Sequence, residues 1–177
     1  MPNNSSARVF ADSPAVRGPS PLLLGIAGPS SSGKTYSALR LATGMQRVIG
    51  GDIRFIDTER NRALHYAERF KFRHIPLDAP YSPLDYLAAI EHCIREGSRI
   101  IICDSMSHEH EGPGGVLDWH DDEVERLKKA WRTDSDEKVN IPAWGRPKAA
   151  RRKLLNFIAQ ANVNFVFCFR AKNKISI

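Results

Sequence analysis

The sequence has none of the long apolar segments that anchor a chain in a membrane. No apolar run approaches the roughly 20 residues that a helix needs to span a bilayer, and residues 1–20 lack the apolar core of a secretory signal. Residues 1–20 are instead rich in Ser, Pro and Asn, a composition typical of unstructured chain. We therefore predict a disordered tail at 1–20 and no membrane segment.

Cysteine is also scarce. Cys93, Cys103 and Cys168 lie far apart in the chain, so they do not have the spacing of a disulfide framework. Neither C-x-x-C nor H-E-x-x-H occurs, which argues against the zinc sites that those spacings form. Cys103 and Cys168 lie inside apolar runs that have the pattern of buried strands. We expect the three thiols to be reduced core residues of a cytoplasmic protein.

The chain of 177 residues is long enough for one domain with a substantial core. Strand and helix patterns alternate along it, which predicts an α/β fold with a mainly parallel central sheet flanked by helices. We assign this domain to residues 21–177. The formal net charge of +6 is compatible with a polyanionic partner such as nucleic acid.

The predicted elements are separated by Gly and Pro at several points. We expect strands at 22–27, 53–57, 72–75, 99–104 and 163–169. We expect helices at 34–46, 61–70, 83–96, 116–131 and 147–160, with a polar loop at 133–145. The chain ends soon after the last predicted strand, so we expect a fragment of a longer protein, truncated after that strand.

A glycine-rich loop follows the first predicted strand and precedes the first predicted helix. Its sequence, GPSSSGKT, matches G-x-x-x-x-G-K-[ST] at every position. Such loops surround phosphate groups with backbone N–H groups, a lysine contacts the β- and γ-phosphates, and the last hydroxyl ligates Mg²⁺. We therefore predict nucleotide binding by Gly28, Pro29, Ser30, Ser31, Ser32, Gly33, Lys34, Thr35 and Tyr36.

Hydrolysis of a bound nucleotide also needs acidic groups near the phosphates. Asp104 ends the apolar run RIIICD in the pattern of a Walker B acid, so we predict that it ligates Mg²⁺ together with Thr35. Glu59 follows the second predicted strand and is our candidate for activating water. Asp57, Glu109 and Glu111 are rival candidates for that role, because each lies near the same predicted sheet edge.

Four segments, GPSSSGKT, RFIDTERNRALHYAERF, RIIICDSMS and NFVFCFRAKNK, resemble the RecA-like ATPases. The similarity is to phage-encoded RecA-like proteins of single-strand annealing and recombination in particular. It implies ATP and Mg²⁺ as ligands, ATP hydrolysis with Glu59 and Lys34 as catalytic residues, and homo-oligomers of the full-length protein. It further implies single-stranded DNA as a partner and the cytoplasm of a bacterium or of a phage-infected cell as the location.

The strand that carries a polar γ-phosphate sensor in RecA-like proteins ends here in Cys168, Phe169 and Arg170. Arg170 is therefore our candidate sensor. Two functions besides a DNA-dependent ATPase stay open. One is a small-molecule P-loop kinase, although 133–145 lacks an arginine-rich lid; the second is a nucleotide-dependent assembly module with little turnover.

Two polar segments, 108–122 and 146–153, each allow two interpretations. Residues 108–122 are rich in His, Asp and Glu, and we expect a polar loop followed by a solvated helix start. A loop that faces a substrate or DNA is a second interpretation. The basic residues of 146–153 open the last predicted helix and are expected to form a solvated face or a contact with nucleic acid.

Overall fold

The computed structural model describes residues 10–18 and 20–171. Within them, five strands form one sheet in which every pairing is parallel. The strands are β1 (Leu23–Gly28), β2 (Ile53–Asp57), β3 (Arg73–Pro76), β4 (Ile100–Asp104) and β5 (Asn164–Arg170). Their order across the sheet is β1-β5-β4-β2-β3. The predicted α/β fold with a parallel sheet is therefore confirmed.

Helices connect the strands and cover the sheet, as parallel pairing requires. They are α1 (Lys34–Ile49), α2 (Pro83–Arg95), α3 (His108–Glu111), α4 (Val116–Trp131), α5 (Asp136–Ala143) and α6 (Gly145–Gln160). Ser82 caps α2 in a capping box with Asp85, which satisfies free N–H groups at the helix start. Gly97 follows that helix with a left-handed φ of 77°.

The two faces of the sheet carry separate apolar cores. Alternate residues of a strand point to opposite faces, so Ile101 packs with α2 and α6, whereas Ile102 packs with α1. Phe165 and Val166 of β5 divide between the two faces in the same way. Burial on both faces explains why β4 is apolar along nearly its whole length.

Three predicted segments differ from the structure, and one of them is 108–122, where α3 replaces the start of the expected polar loop. Only Arg62–Tyr66 of the predicted helix 61–70 is helical, as a 3₁₀ turn. Conversely, the predicted polar loop 133–145 contains α5, because Val139 and Ala143 are buried against Leu127. Only two residues of the polar segment 133–145 take part in this contact, and two apolar residues do not form a periodic pattern that predicts a helix.

The described part of the N-terminal segment, 10–18 and 20, contains no helix or strand, and its residues are exposed. The rest of the predicted tail and residues 172–177 of the predicted domain lie outside the described residues. Cys93, Cys103 and Cys168 are buried free thiols, as predicted. No helix in 10–18 or 20–171 is long and apolar enough to cross a membrane.

Candidate functional site

The predicted site residues come from four strand ends that meet at one edge of the sheet. The glycine-rich loop joins β1 to α1, Glu59 follows β2, Asp104 ends β4 and Arg170 ends β5. Because all five strands are parallel, their carboxyl ends lie at the same edge. They enclose a cleft lined by Ser30, Ser31, Ser32, Gly33, Lys34, Thr35, Glu59, Arg62, Tyr66, Asp104, Ser105 and Arg170.

The backbone of the glycine-rich loop requires glycine at Gly33, and a side chain at Gly28 would displace the Ser32 hydroxyl. Gly33 has a φ of 82°, in the left-handed region that residues with a side chain rarely adopt. A Cβ on Gly28 would lie 2.7 Å from Ser32 Oγ. The Ser32 hydroxyl donates to Pro29 O at 2.8 Å, which closes the loop on itself. The loop therefore curves tightly just before the N-terminus of α1, where free N–H groups favour an anion.

Lys34 places a positive charge over this loop. Its ammonium donates to Gly28 O at 2.9 Å and to Pro29 O at 2.6 Å. The side chain lies at the first residue of α1 and lines the cleft. The helix N-terminus and the ammonium thus combine two sources of positive potential at one point. Such a point attracts phosphate oxygens.

Thr35 and Asp104 meet although 69 residues separate them in the chain. The Thr35 hydroxyl donates to Asp104 Oδ2 at 2.5 Å. Asp104 is 5% exposed, and this burial is the main reason that the pKa of its carboxyl is raised. The charges of Glu59 and Asp57 raise that pKa further. A hydroxyl and a carboxylate so close together are the oxygen ligands that Mg²⁺ prefers, and a cation would offset the neighbouring negative charges.

Glu59 lines the same cleft as the loop and is surrounded by two arginines and a histidine. Arg170 Nη2 is 2.6 Å from Glu59 Oε1, and Arg62 Nη1 is 3.5 Å from Oε2. His108 Nε2 lies 3.9 Å from Oε1. The Glu59 side chain nevertheless remains 18% exposed at the cleft. Its carboxylate is therefore held in position and is accessible to water in the cleft.

The carboxylate of Asp57, a rival candidate for the water-activating acid, forms hydrogen bonds that stabilise the fold. Its Oδ1 accepts the N–H of Glu59 at 2.8 Å, and its Oδ2 accepts the N–H of Ala63 at 3.0 Å. His74 Nε2 lies 3.1 Å from the same Oδ2. The side chain is 1% exposed and does not line the cleft. Asp57 thus fixes the chain between β2 and the following 3₁₀ turn.

Glu109 and Glu111, which are also candidates for the water-activating acid, lie on α3 and do not line the cleft. The Glu109 carboxylate is 2% exposed, and its Oε2 is 3.5 Å from Arg151 Nε of α6. Glu111 is half-buried. This separation leaves Glu59 as the carboxylate best placed for water at the cleft among the four candidates.

Three residues that line the cleft were not singled out from the sequence. Arg62 and Tyr66 line it from the 3₁₀ turn, and Ser105 lines it after β4. His108 borders it, with Nδ1 2.8 Å from Thr58 Oγ1 and its ring stacked on Tyr81. The spacing of Arg62, three residues after Glu59, is the one signal that could have indicated a helical ion pair.

Tyr36, which we predicted to bind nucleotide, packs behind the loop. Its ring lies 6.0 Å from the Tyr66 ring and 5.5 Å from the Phe70 ring, between ring centroids. The Arg69 guanidinium lies 5.0 Å from the centroid of the same ring. Tyr36 therefore supports the wall that Tyr66 presents to the cleft, and Tyr36 itself is not among the lining residues.

The histidines of 108–122 face three different environments. His108 borders the cleft, His110 Nδ1 is 3.5 Å from Arg151 Nη1, and the His120 ring stacks on Trp144 with centroids 4.1 Å apart. No three His, Cys, Asp or Glu side chains of the described ranges are grouped as metal ligands.

No protein-family model matches this chain, and no curated protein matches it. Any assignment of function therefore depends on the chemistry of the cleft.

Proposed function

We propose that this chain is a RecA-like P-loop ATPase that binds ATP with Mg²⁺ and hydrolyses it. The observation that carries the proposal is the contact of Thr35 with Asp104 beside the Lys34 ammonium. This contact brings the glycine-rich loop, which would bind an anion, and two oxygen ligands suited to a hard cation to one point of the sheet edge. A nucleoside triphosphate with its divalent cation is the ligand that uses both.

The glycine-rich loop would bind the phosphate chain. Its N–H groups and the N-terminus of α1 supply fixed partial positive charge, and Lys34 supplies a full positive charge. The ammonium is now bonded to the carbonyl oxygens of Gly28 and Pro29. These neutral acceptors are weaker partners than a phosphate oxygen, so the exchange favours the ligand.

Thr35 and Asp104 would hold Mg²⁺, the hydroxyl directly and the carboxylate directly or through water. The fit rests on their 2.5 Å contact and on the negative charges that surround Asp104. When bound, Mg²⁺ neutralises charge on the phosphates. The protein itself supplies the orientation of both ligands, one from the first turn of α1 and one from the end of β4.

Glu59 would orient and deprotonate the attacking water, and Arg170 would contact the terminal phosphate. Both side chains line the cleft together with Lys34. The 2.6 Å contact between Arg170 and Glu59 links the proposed sensor to the proposed base. Movement of Arg170 towards a phosphate would release Glu59 Oε1 from this contact and leave it free to accept a hydrogen bond from water.

Single-stranded DNA is the partner that we propose for this ATPase, in recombination or annealing. The net charge of +6 supports it, as do the exposed side chains of Arg152 and Lys153 on α6. Hydrolysis that accelerates on addition of single-stranded DNA is the expected result. Phosphate transfer to a nucleoside or metabolite would instead indicate a kinase, and slow turnover that DNA does not change would indicate an assembly module.

Nucleotide binding is tested with a fluorescent ATP analogue, with and without Mg²⁺. Lys34→Ala should weaken binding about 10- to 100-fold, because one charge-assisted contact is worth about 1.5–3 kcal/mol. Lys129→Ala, on the exposed face of α4, is the matched control and should bind normally. Equal affinities of Lys34→Ala and the parent chain would show that the loop is not the phosphate site.

A further inference from the structure

Glu59 lines a second cavity besides the cleft, of about 570 Å³. His108 lines that cavity together with Thr58 and Tyr81 and is not among the residues that line the cleft. The His108 Nε2 atom lies 3.9 Å from Glu59 Oε1, and the two side chains are 17% and 18% exposed. The imidazole therefore approaches the proposed catalytic acid from the second cavity and leaves the nucleotide cleft unobstructed.

The His108 ring is held in position by two contacts. It stacks on the Tyr81 ring, with centroids 5.0 Å apart, and its Nδ1 lies 2.8 Å from Thr58 Oγ1. Thr58 is buried, and its hydroxyl accepts the N–H of Ser105 at 2.8 Å. Ser105 directly follows Asp104, the last residue of β4. A chain of hydrogen bonds thus runs from the end of β4 through the Thr58 hydroxyl to the imidazole.

These contacts determine which ring nitrogen of His108 presents a proton to Glu59. When Nδ1 of the neutral ring accepts the Thr58 hydroxyl, the ring proton is on Nε2. The other tautomer would place the lone pair of Nε2 beside the Glu59 carboxylate, which is repulsive. In the charged ring both nitrogens carry protons, and the Thr58 hydroxyl then donates to Ser105 O, 3.2 Å away. Nε2 is therefore an N–H donor beside Glu59 Oε1 in both charge states.

We propose that His108 is a positioning residue for Glu59, an inference that rests on the proposed function. Arg170 contacts Glu59 Oε1 at 2.6 Å, and Arg62 lies 3.5 Å from Oε2. Once Arg170 moves to a phosphate, the Nε2–H of His108 donates to Oε1 and holds the carboxylate towards the attacking water. A shift of about 1 Å brings the 3.9 Å separation to hydrogen-bond distance. Oε1 accepts the imidazole and the water together, because a carboxylate oxygen has two lone pairs.

Two substitutions of His108 separate donation to Glu59 from a merely structural role of the ring. His108→Phe keeps a ring to stack on Tyr81 and loses the donor, whereas His108→Gln loses the ring and places an amide N–H near the position of Nε2. The kcat for ATP hydrolysis should fall about tenfold in His108→Phe, since a hydrogen bond to a charged group is worth about that factor. His108→Gln should recover most of that loss, and KM for ATP should stay near the parent value in both variants.

His92→Phe, at an exposed position of α2, is the matched control and should hydrolyse ATP at the parent rate. A kcat of His108→Phe equal to that of the parent chain, or a His108→Gln variant as slow as His108→Phe, would overturn the proposal. Glu59→Gln in the same assay distinguishes the two levels of inference. A slow Glu59→Gln beside a His108→Phe at the parent rate would overturn only the role of His108, whereas Glu59→Gln at the parent rate would overturn the proposed base itself.

A second measurement does not depend on hydrolysis. NMR of the imidazole nitrogens in the nucleotide-free full chain at pH 8 should show that Nε2 of His108 carries the proton and that Nδ1 accepts a hydrogen bond. Thr58→Val, which removes the hydroxyl and keeps the shape of the side chain, should shift the Nδ1 resonance towards that of an imidazole nitrogen without a donor. A neutral His108 ring with its proton on Nδ1 would contradict the proposal, because Nε2 would then have no proton to donate to Glu59.

Discussion

Glu59→Gln should separate binding from hydrolysis more sharply than any other single change in this chain. The substitution keeps the size of the side chain and removes its charge. The carboxylate has contacts with Arg170 at 2.6 Å, Arg62 at 3.5 Å and His108 at 3.9 Å. The two arginines are partly exposed, so the weakened ion pairs should cost about 1 kcal/mol of folding stability or less. The fold should therefore survive.

The effect on turnover should be much larger. Loss of a general base typically slows a reaction about 10²- to 10⁴-fold, which corresponds to roughly 3–5 kcal/mol of transition-state stabilisation. Affinity for ATP should stay near that of the parent chain, because phosphate binding is assigned to the loop and Lys34. The neutral amide that replaces the Glu59 carboxylate also releases Arg170 for the phosphate, so a slight gain in affinity is the expected direction.

Single-turnover hydrolysis at saturating Mg²⁺ and ATP measures this loss, and a separate titration gives the affinity. Glu109→Gln and Glu111→Gln are the controls, because their side chains do not line the cleft. Both should hydrolyse ATP at close to the parent rate. Hydrolysis that persists in Glu59→Gln and fails in Glu109→Gln would refute the assignment and move the catalytic acid to α3.

Three further predictions concern other acids. Asp104→Asn should retain ATP but require more Mg²⁺ for half-maximal hydrolysis, because the Asp104 carboxylate, 2.5 Å from the Thr35 hydroxyl, is the proposed metal ligand. An Mg²⁺ dependence equal to that of the parent chain would contradict this. Asp57→Ala should lower the free energy of unfolding by about 2–4 kcal/mol in a denaturant titration, because it leaves the N–H groups of Glu59 and Ala63 without acceptors. A change under about 0.5 kcal/mol, the size of an ordinary surface substitution, would mean that Asp57 does not fix the strand end. Glu109→Gln should be more stable than the parent chain at pH 8, because burial raises the pKa of Glu109 and its ionisation destabilises the folded state as pH rises above the ordinary value of 4.5. The difference in stability between Glu109→Gln and the parent chain should disappear near pH 4, where the Glu109 carboxyl is largely protonated in the folded and unfolded states. A stability difference that grows towards low pH would contradict this prediction.

Much of the fold could be predicted because its signals are local. The buried strand β4 is a continuous apolar run, the loop 28–35 matches a complete motif, and α2 begins with Ser82 and Pro83 at its capping positions. These patterns depend on residues that are neighbours in sequence. The helix α5 was missed because only Val139 and Ala143 of a polar segment are buried, and their partner Leu127 belongs to another helix.

The sequence by itself determined which residues could form a site at the sheet edge, since each candidate follows a predicted strand. Only the tertiary structure distinguished their environments. Asp57 and Glu59 are two residues apart and look equivalent in sequence, yet Asp57 is bonded to backbone N–H groups and His74, whereas Glu59 faces the cleft. The ion pair of Glu59 with Arg170 spans 111 residues. Parallel pairing of β2, β4 and β5 brings these strand ends together, and such long-range packing is not encoded in any local pattern.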